Sequence, residues 1–182
     1  MVHVPRFFGG YILFQPRKKA HFCRKMKMYF LYASIAIAAG LVFVNSYNSL
    51  IDVKSWGSDI PSSLITARSY FRVVNPGVFF RSVSPLNQVI ALICLILFWK
   101  TTPSIRITLA SALVLYIMAD VLTFAYFYPR NDILFISNPI QDRHILEKIW
   151  KDWRTMNWVR TAIVLAGLLL SMISLHRSYL QK

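Results

Sequence analysis

The chain has 182 residues, of which 56% are hydrophobic and 15% charged, with 21 Lys and Arg against 7 Asp and Glu and a net charge of +14. A soluble domain carries about 25% charged residues, so this composition excludes an ordinary water-facing fold and points to lipid as the missing solvent. No recognition module accompanies the basic excess, which therefore reads as membrane topology and not as a nucleic-acid footprint.

Residues 1–27 hold seven basic residues and no acidic one. Two readings stay open: a basic cytoplasmic arm on anionic lipid, or an extension upstream of a start at Met26 or Met28. The rest, 28–182, is expected to be one four-span membrane domain. Its first span is predicted over about 28–48, inside a run of 24 uncharged residues between Lys27 and Asp52. About 20 apolar residues cross a bilayer as a helix. A cleaved signal segment ending near Ala36-Ile37-Ala38 is the alternative, but the apolar run continues through Val44, longer than such segments need.

The loop from Leu50 to Ser84 is expected to carry an amphipathic helix beginning at Pro61. Asp59 would cap it, and the Asn75-Pro76-Gly77 turn would follow its end. Ser84-Pro85 and Thr102-Pro103 have the form of an N-cap before a first-turn proline and are expected to open helices two and three, about 85–99 and 103–128, with Pro129 stopping the latter. Asn138-Pro139 opens a further helical run. Ile145, Ile149, Trp153 and Met156 recur at helical spacing, so the fourth span, about 155–176, either starts well outside the lipid or follows an interfacial helix. Small residues mark expected packing seams at Ala36 and Gly40, Thr108 and Ala112, and Ala162 and Ala166.

The expected fold class is thus all-α, a four-helix transmembrane bundle with an extracytoplasmic amphipathic loop helix. With four crossings both termini share one side, which collects eleven basic residues, among them Lys100, Arg106 and Arg177, and no acidic one. The positive-inside rule makes that side cytoplasmic. Cys23 and Cys94 form no Cys-x-x-Cys pair, against a disulfide-forming enzyme. His3, His21, His144 and His176 are scattered, so neither a metal nor another cofactor is expected.

Polar residues at membrane depth are the functional candidates, because ionisable groups there usually mark a site or a clasp. Asp120 in helix three and Arg160 in helix four fall in one layer, where an ion pair would relieve both. Asn45, Asn48, Asn87, Gln88 and Asn157 lie at the same level and outline a pocket open to the outer side.

The first span ending in Gly40 to Tyr47, Tyr128-Pro129-Arg130-Asn131 with Leu134, and Trp153 to Asn157 with Arg160 together resemble the anthrone-oxygenase-like family of small four-helix membrane proteins. The resemblance runs from about residue 28 to 175. It implies the four-helix architecture and carries over Asn131, Asn157 and Arg160 as site candidates; its fungal namesakes are cofactor-independent oxygenases of polycyclic aromatic anthrones. The chain has no intramembrane His to serve as a base, and the basic arm and first loop fall outside the match. Expected partners are the lipid bilayer, a hydrophobic small molecule and a membrane protein, with no nucleic acid. The first functional expectation is a structural or binding protein of the cytoplasmic membrane. The alternative is an oxidoreductase of a hydrophobic aromatic or quinone-like substrate, with Asp120 or a neighbour as base and Arg160 steadying an enolate-like anion. A transporter ranks third, given the small size and absence of repeats.

Overall fold

The computed structural model describes residues 16–137 and 142–180. Every regular element among them is helical, and four helices are long and apolar enough to cross a membrane. The basic-arm reading falls largely, and the Asn138-Pro139 reading wholly, outside the described residues. Helix α1, Pro16–Tyr47, continues through a π-helical turn at Asn48–Asp52 into α2, Val53–Trp56. Helix α3 is Ser62–Tyr70, and α4 is Pro76–Leu97. Helix α5, Pro103–Leu122, runs on through a π turn at Thr123–Phe127, α6 at Tyr128–Asn131, and a second π turn at Asp132–Ile136. Helix α7 is Arg143–Leu180.

Five boundaries differ from the sequence expectation. Helix one already begins at Pro16 and not near residue 28. Helix two starts at Pro76 and not at Pro85. Asn75 is extended at its N-cap and Pro76 takes the first turn, so Pro85 lies inside the helix. A proline within a span is tolerated where protein or a cavity meets the freed backbone. Pro129 does not stop helix three. The preceding turn has π register, with the Tyr128 amide donating to the Thr123 carbonyl, and that wider turn relieves the clash a proline ring makes in an α turn. Helix four starts at Arg143, which selects the reading of one helix begun outside the lipid. Leu146 and Trp153 on this outer part are buried. Asp59 does not cap α3 with its carboxylate: its carbonyl accepts from the Ser63 amide and its amide donates to Ser63 Oγ.

The bundle is cyclic in its contacts: α5 packs on α7, α7 on α1, α1 on α4 and α4 on α5. Three buried layers stack along it. The end bearing the chain termini holds Leu31, Cys94, Phe98, Ile105 and Leu109. The middle holds Ala38, Ala91, Ala112, Tyr116, Ala119 and Val164. The loop end is an aromatic cap in which Trp56, Phe127 and Trp153 pack edge to face with Val53, Leu64, Leu134 and Leu146. Two of the expected seams are displaced: Ala36, Gly40 and Ala162 face outward, and close approach occurs at Ala38 and Gly167 instead. The third is correct, since Thr108 bonds Ser174 at 2.6 Å and Ala112 is buried.

The first loop is docked and not free. Trp150 donates to the Val53 carbonyl at 2.7 Å and covers Gly57 so tightly that a Cβ there would sit 2.1 Å from its ring. Ser63 Oγ donates to the Trp56 carbonyl at 2.5 Å. Arg68 reaches three carbonyls at the end of the third span: Ile133 at 3.0 Å, Leu134 at 2.8 Å and Ser137 at 3.0 Å. Burial draws the Arg68 guanidinium below its ordinary pKa, yet an arginine so placed stays cationic. It thus serves as a C-cap supplied from another helix.

Candidate functional site

Under the aromatic cap lies a cavity of about 630 Å³. Its back wall is α7 and the end of α1, through Trp153, Arg160, Asn48 and Trp56, and its sides are the α3–α4 loop with the first half of α4 and the outer part of the third span. The walls are rich in aromatic rings (Trp56, Phe71, Phe80, Phe124, Tyr128, Phe135, Trp153), with Arg68, Arg72, Arg81, Arg160, Asp120 and Asp132 among them.

Asp120 and Arg160 both line this space but form no ion pair. Asp120 accepts from Ser84 Oγ at 2.6 Å and from Gln88 Nε2 at 2.6 Å, one donor on each carboxylate oxygen. Ser84 and Gln88 are one turn apart on α4, so they present two donors to the same point of α5. Arg160 uses one terminal nitrogen on Asn45 Oδ1 at 2.9 Å and Asn157 Oδ1 at 2.5 Å, and the other on Thr123 Oγ1 at 3.3 Å. Phe127 and Phe80 flank its guanidinium at 4.3 and 5.0 Å. All its oxygen partners are neutral, and its Nε is buried without a partner. The only ion pair among the described residues is exposed, Arg143 with Glu147 at 2.7 Å.

The expected pocket residues divide. Asn48 and Asn131 line the cavity together with Asp120 and Arg160. Asn48 Nδ2 donates to Asp52 at 3.1 Å, while its Oδ1 is buried and unpartnered. Asn131 accepts from Trp153 Nε1 at 2.8 Å, fixing that ring. Asn45 and Asn157 stand behind the wall: Asn157 Nδ2 bonds Ser49 Oγ at 2.5 Å and the Asn45 carbonyl at 3.2 Å, tying α7 to α1 and orienting Arg160. Gln88 sits beside the wall as the partner of Asp120. Asn87, one residue before Gln88 on α4, does not line the cavity, because its side chain turns toward α1. It is fully buried there, its Oδ1 accepting from Ser34 Oγ at 3.3 Å.

The sequence reading missed Phe80, Thr123 and the role of Ser84. A signal was present, since Phe80, Ser84 and Gln88 recur every four residues on one helical face; taking Ser84 as a cap concealed it. Among the described residues no three His, Cys, Asp or Glu side chains gather as a metal site would need.

A family model described as Anthrone oxygenase matches residues 76–170, just over half of the chain. The chain belongs to the anthrone oxygenase family. The matched segment holds α4, the third span and most of α7, and with them Phe80, Ser84, Gln88, Asp120, Asn131, Asn157 and Arg160. Asn45 and Asn48 on α1 lie outside it. Searches of curated proteins and of solved structures each returned no match.

Proposed function

We propose that the cavity binds a planar aromatic molecule bearing an acidic oxygen, and that the protein oxidises it, with Asp120 accepting a proton and Arg160 partnering the resulting oxyanion. One observation carries this reading: Arg160 is 6% exposed, bonded only to neutral oxygens, flanked by two rings and left with Nε unpartnered. A desolvated guanidinium with no carboxylate bonded to it, Asp120 facing it across the cavity without contact, favours an anion supplied from outside the chain. A volume of about 630 Å³ suits a drug-sized ligand, and the aromatic walls suit a flat one. The family's name supports the chemistry. An anthrone losing a methylene proton gives an enolate, and one anthrone and one O2 yield one quinone and one water.

A binding or structural role, with another membrane protein on the loop cap, is the second reading. It is favoured by the Arg160, Asn157, Asn45 and Ser49 network, which joins α1 to α7 whether or not a ligand is present. We take the host to be the cytoplasmic membrane with both termini on the cytoplasmic side, a reading supported by the unpaired basic residues at that end.

Protein in lipid nanodiscs, mixed with anthrone in air, is expected to form anthraquinone with matching O2 uptake. Asp120→Asn, which keeps the bonds from Ser84 and Gln88 within reach, should slow turnover about 10²–10⁴-fold and leave anthrone binding intact. Binding without O2 uptake by the unaltered protein would leave a binding protein and remove the oxygenase; no binding would remove both.

A further inference from the structure

We infer that the cavity opens sideways into the bilayer, through a slot between α4 and the third span, so that its ligand is a lipid-dissolved amphipathic aromatic; this rests on the cavity being a ligand site. The rim is drawn by those wall residues that are also exposed. Arg72, Asn75, Arg81 and Pro85 form one edge, and Phe124, Asp132 and Ile136, with half-buried Tyr128, form the other. The outer ends of both edges lie beyond the hydrocarbon and the inner ends, Pro85 and Phe124, within it. The two elements are clasped where Ser84 and Gln88 meet Asp120, and above that level α4 makes at most slight contact with residues 123–136. The clasp is therefore the floor of the slot.

Depth along the helices decides what the slot faces. Phe124 stands 18 residues beyond Arg106, roughly 27 Å along the helix, and Pro85 stands 15 residues before Lys100, roughly 22 Å, at about 1.5 Å per residue. Both fall within the ~30 Å of a hydrocarbon core measured from the terminal end. Phe124 is 61% exposed, as a lipid-facing ring would be. Arg81, whose Nε donates to the Gly77 carbonyl at 3.3 Å, and Tyr128 stand at the level where headgroups begin, the depth at which amphipathic rings concentrate. Pro85 lacks an amide proton, which frees the Arg81 carbonyl at the slot edge. An aromatic weak acid resting at this boundary meets the slot ring-first, with its oxygen able to reach Arg160 behind it.

The test has a ligand-free arm and a ligand arm, both in vesicles of phosphatidylcholine and phosphatidylglycerol. Thr123 lines the cavity behind Phe124. A nitroxide on Thr123→Cys is expected to collide with oxygen in preference to a water-soluble nickel chelate, with the ratio seen at lipid-facing Val121→Cys. A ratio matching that at Asn75→Cys would mean a water-facing mouth and would overturn the proposal. In the second arm a bulky maleimide on Phe124→Cys should slow capture of 1-hydroxypyrene, followed by tryptophan quenching, about tenfold, and more than the same group on Asn75→Cys at the outer end of the rim. The reverse pattern overturns lipid access. If no protein captures 1-hydroxypyrene, the ligand reading fails, and the nitroxide ratio still decides where the cavity opens.

Discussion

In the middle of the bundle Tyr116 lies so close to Gly167 that a Cβ on the glycine would sit 2.6 Å from the ring; one layer toward the loops, Arg160 and Asn48 face about 630 Å³ of open space. Both regions bury polar groups, but they treat them differently. In the tight region hydroxyls answer one another or a carbonyl one turn back: Tyr116 with Ser171 at 3.1 Å, Ser171 with the Gly167 carbonyl at 3.1 Å, and Ser174 with the Leu170 carbonyl at 3.0 Å. This is how helices associate where lipid offers no hydrophobic drive. At the cavity, by contrast, a guanidinium and an amide each leave one buried atom unanswered. A buried polar group without a partner costs about 1–3 kcal/mol, so the cavity layer, where two such atoms stand beside open space, favours a ligand, whereas the tight layer leaves one atom unmet with the Tyr116 ring packed close by. The third unpartnered atom, Asn87 Nδ2, lies on the tight side near Tyr116.

If that contrast is right, the largest effect comes from Arg160. Arg160→Gln keeps one donor for Asn45 or Asn157 but removes the cation. Affinity for an aromatic phenolate, measured by titration in nanodiscs, should fall about 2–4 kcal/mol, the scale for losing one member of a buried charged pair, while a neutral aromatic of the same size loses far less. Equal losses for both would mean that Arg160 is only a clasp, and the two regions would then be alike. Next comes Gly167→Ala, which crowds the buried Tyr116 ring and should lower stability by about 1–3 kcal/mol, the usual cost of overpacking, with ligand affinity unchanged. A Gly167→Ala protein that melts like the parent would show that the middle layer also has slack.

The spans were legible because lipid imposes a composition that water does not: three uncharged windows and a fourth interrupted only by Asp120 correspond to four helices, and Asp120 and Arg160 both line one cavity. Two things were not legible. Helix ends at the loop side are set by packing among Trp56, Leu64, Phe127, Leu146 and Trp153, contacts between distant segments that local propensity does not contain. The partner of each charge depends on helix rotation, and a turn of uncertainty sufficed to pair Asp120 with Arg160 when α4 supplies Ser84 and Gln88 instead. The same uncertainty moved the seam from Ala36 and Gly40 to Ala38. Composition locates a residue in depth, and rotation about the helix axis decides what it meets.

The smallest expected effect has the opposite sign and probes the contrast most sharply. Asn48 is 4% exposed, gives one bond to Asp52, and leaves Oδ1 unmet beside the cavity. Asn48→Leu removes that bond, worth about 1 kcal/mol, together with the unmet acceptor, whose burial costs about 1–3 kcal/mol. Branched alike at Cγ but larger, the leucine also adds apolar contact on the cavity side. Stability should hold or rise by up to about 1 kcal/mol in a thermal melt, while affinity for a ligand bearing a hydroxyl falls and that for its deoxy analogue does not. Such a trade of ligand recognition for stability is the mark of a group kept for binding. A loss of stability with no change in affinity would make Asn48 a structural bond of the Asn48–Asp52 turn, and the unanswered atom at the cavity would then be Arg160 Nε alone.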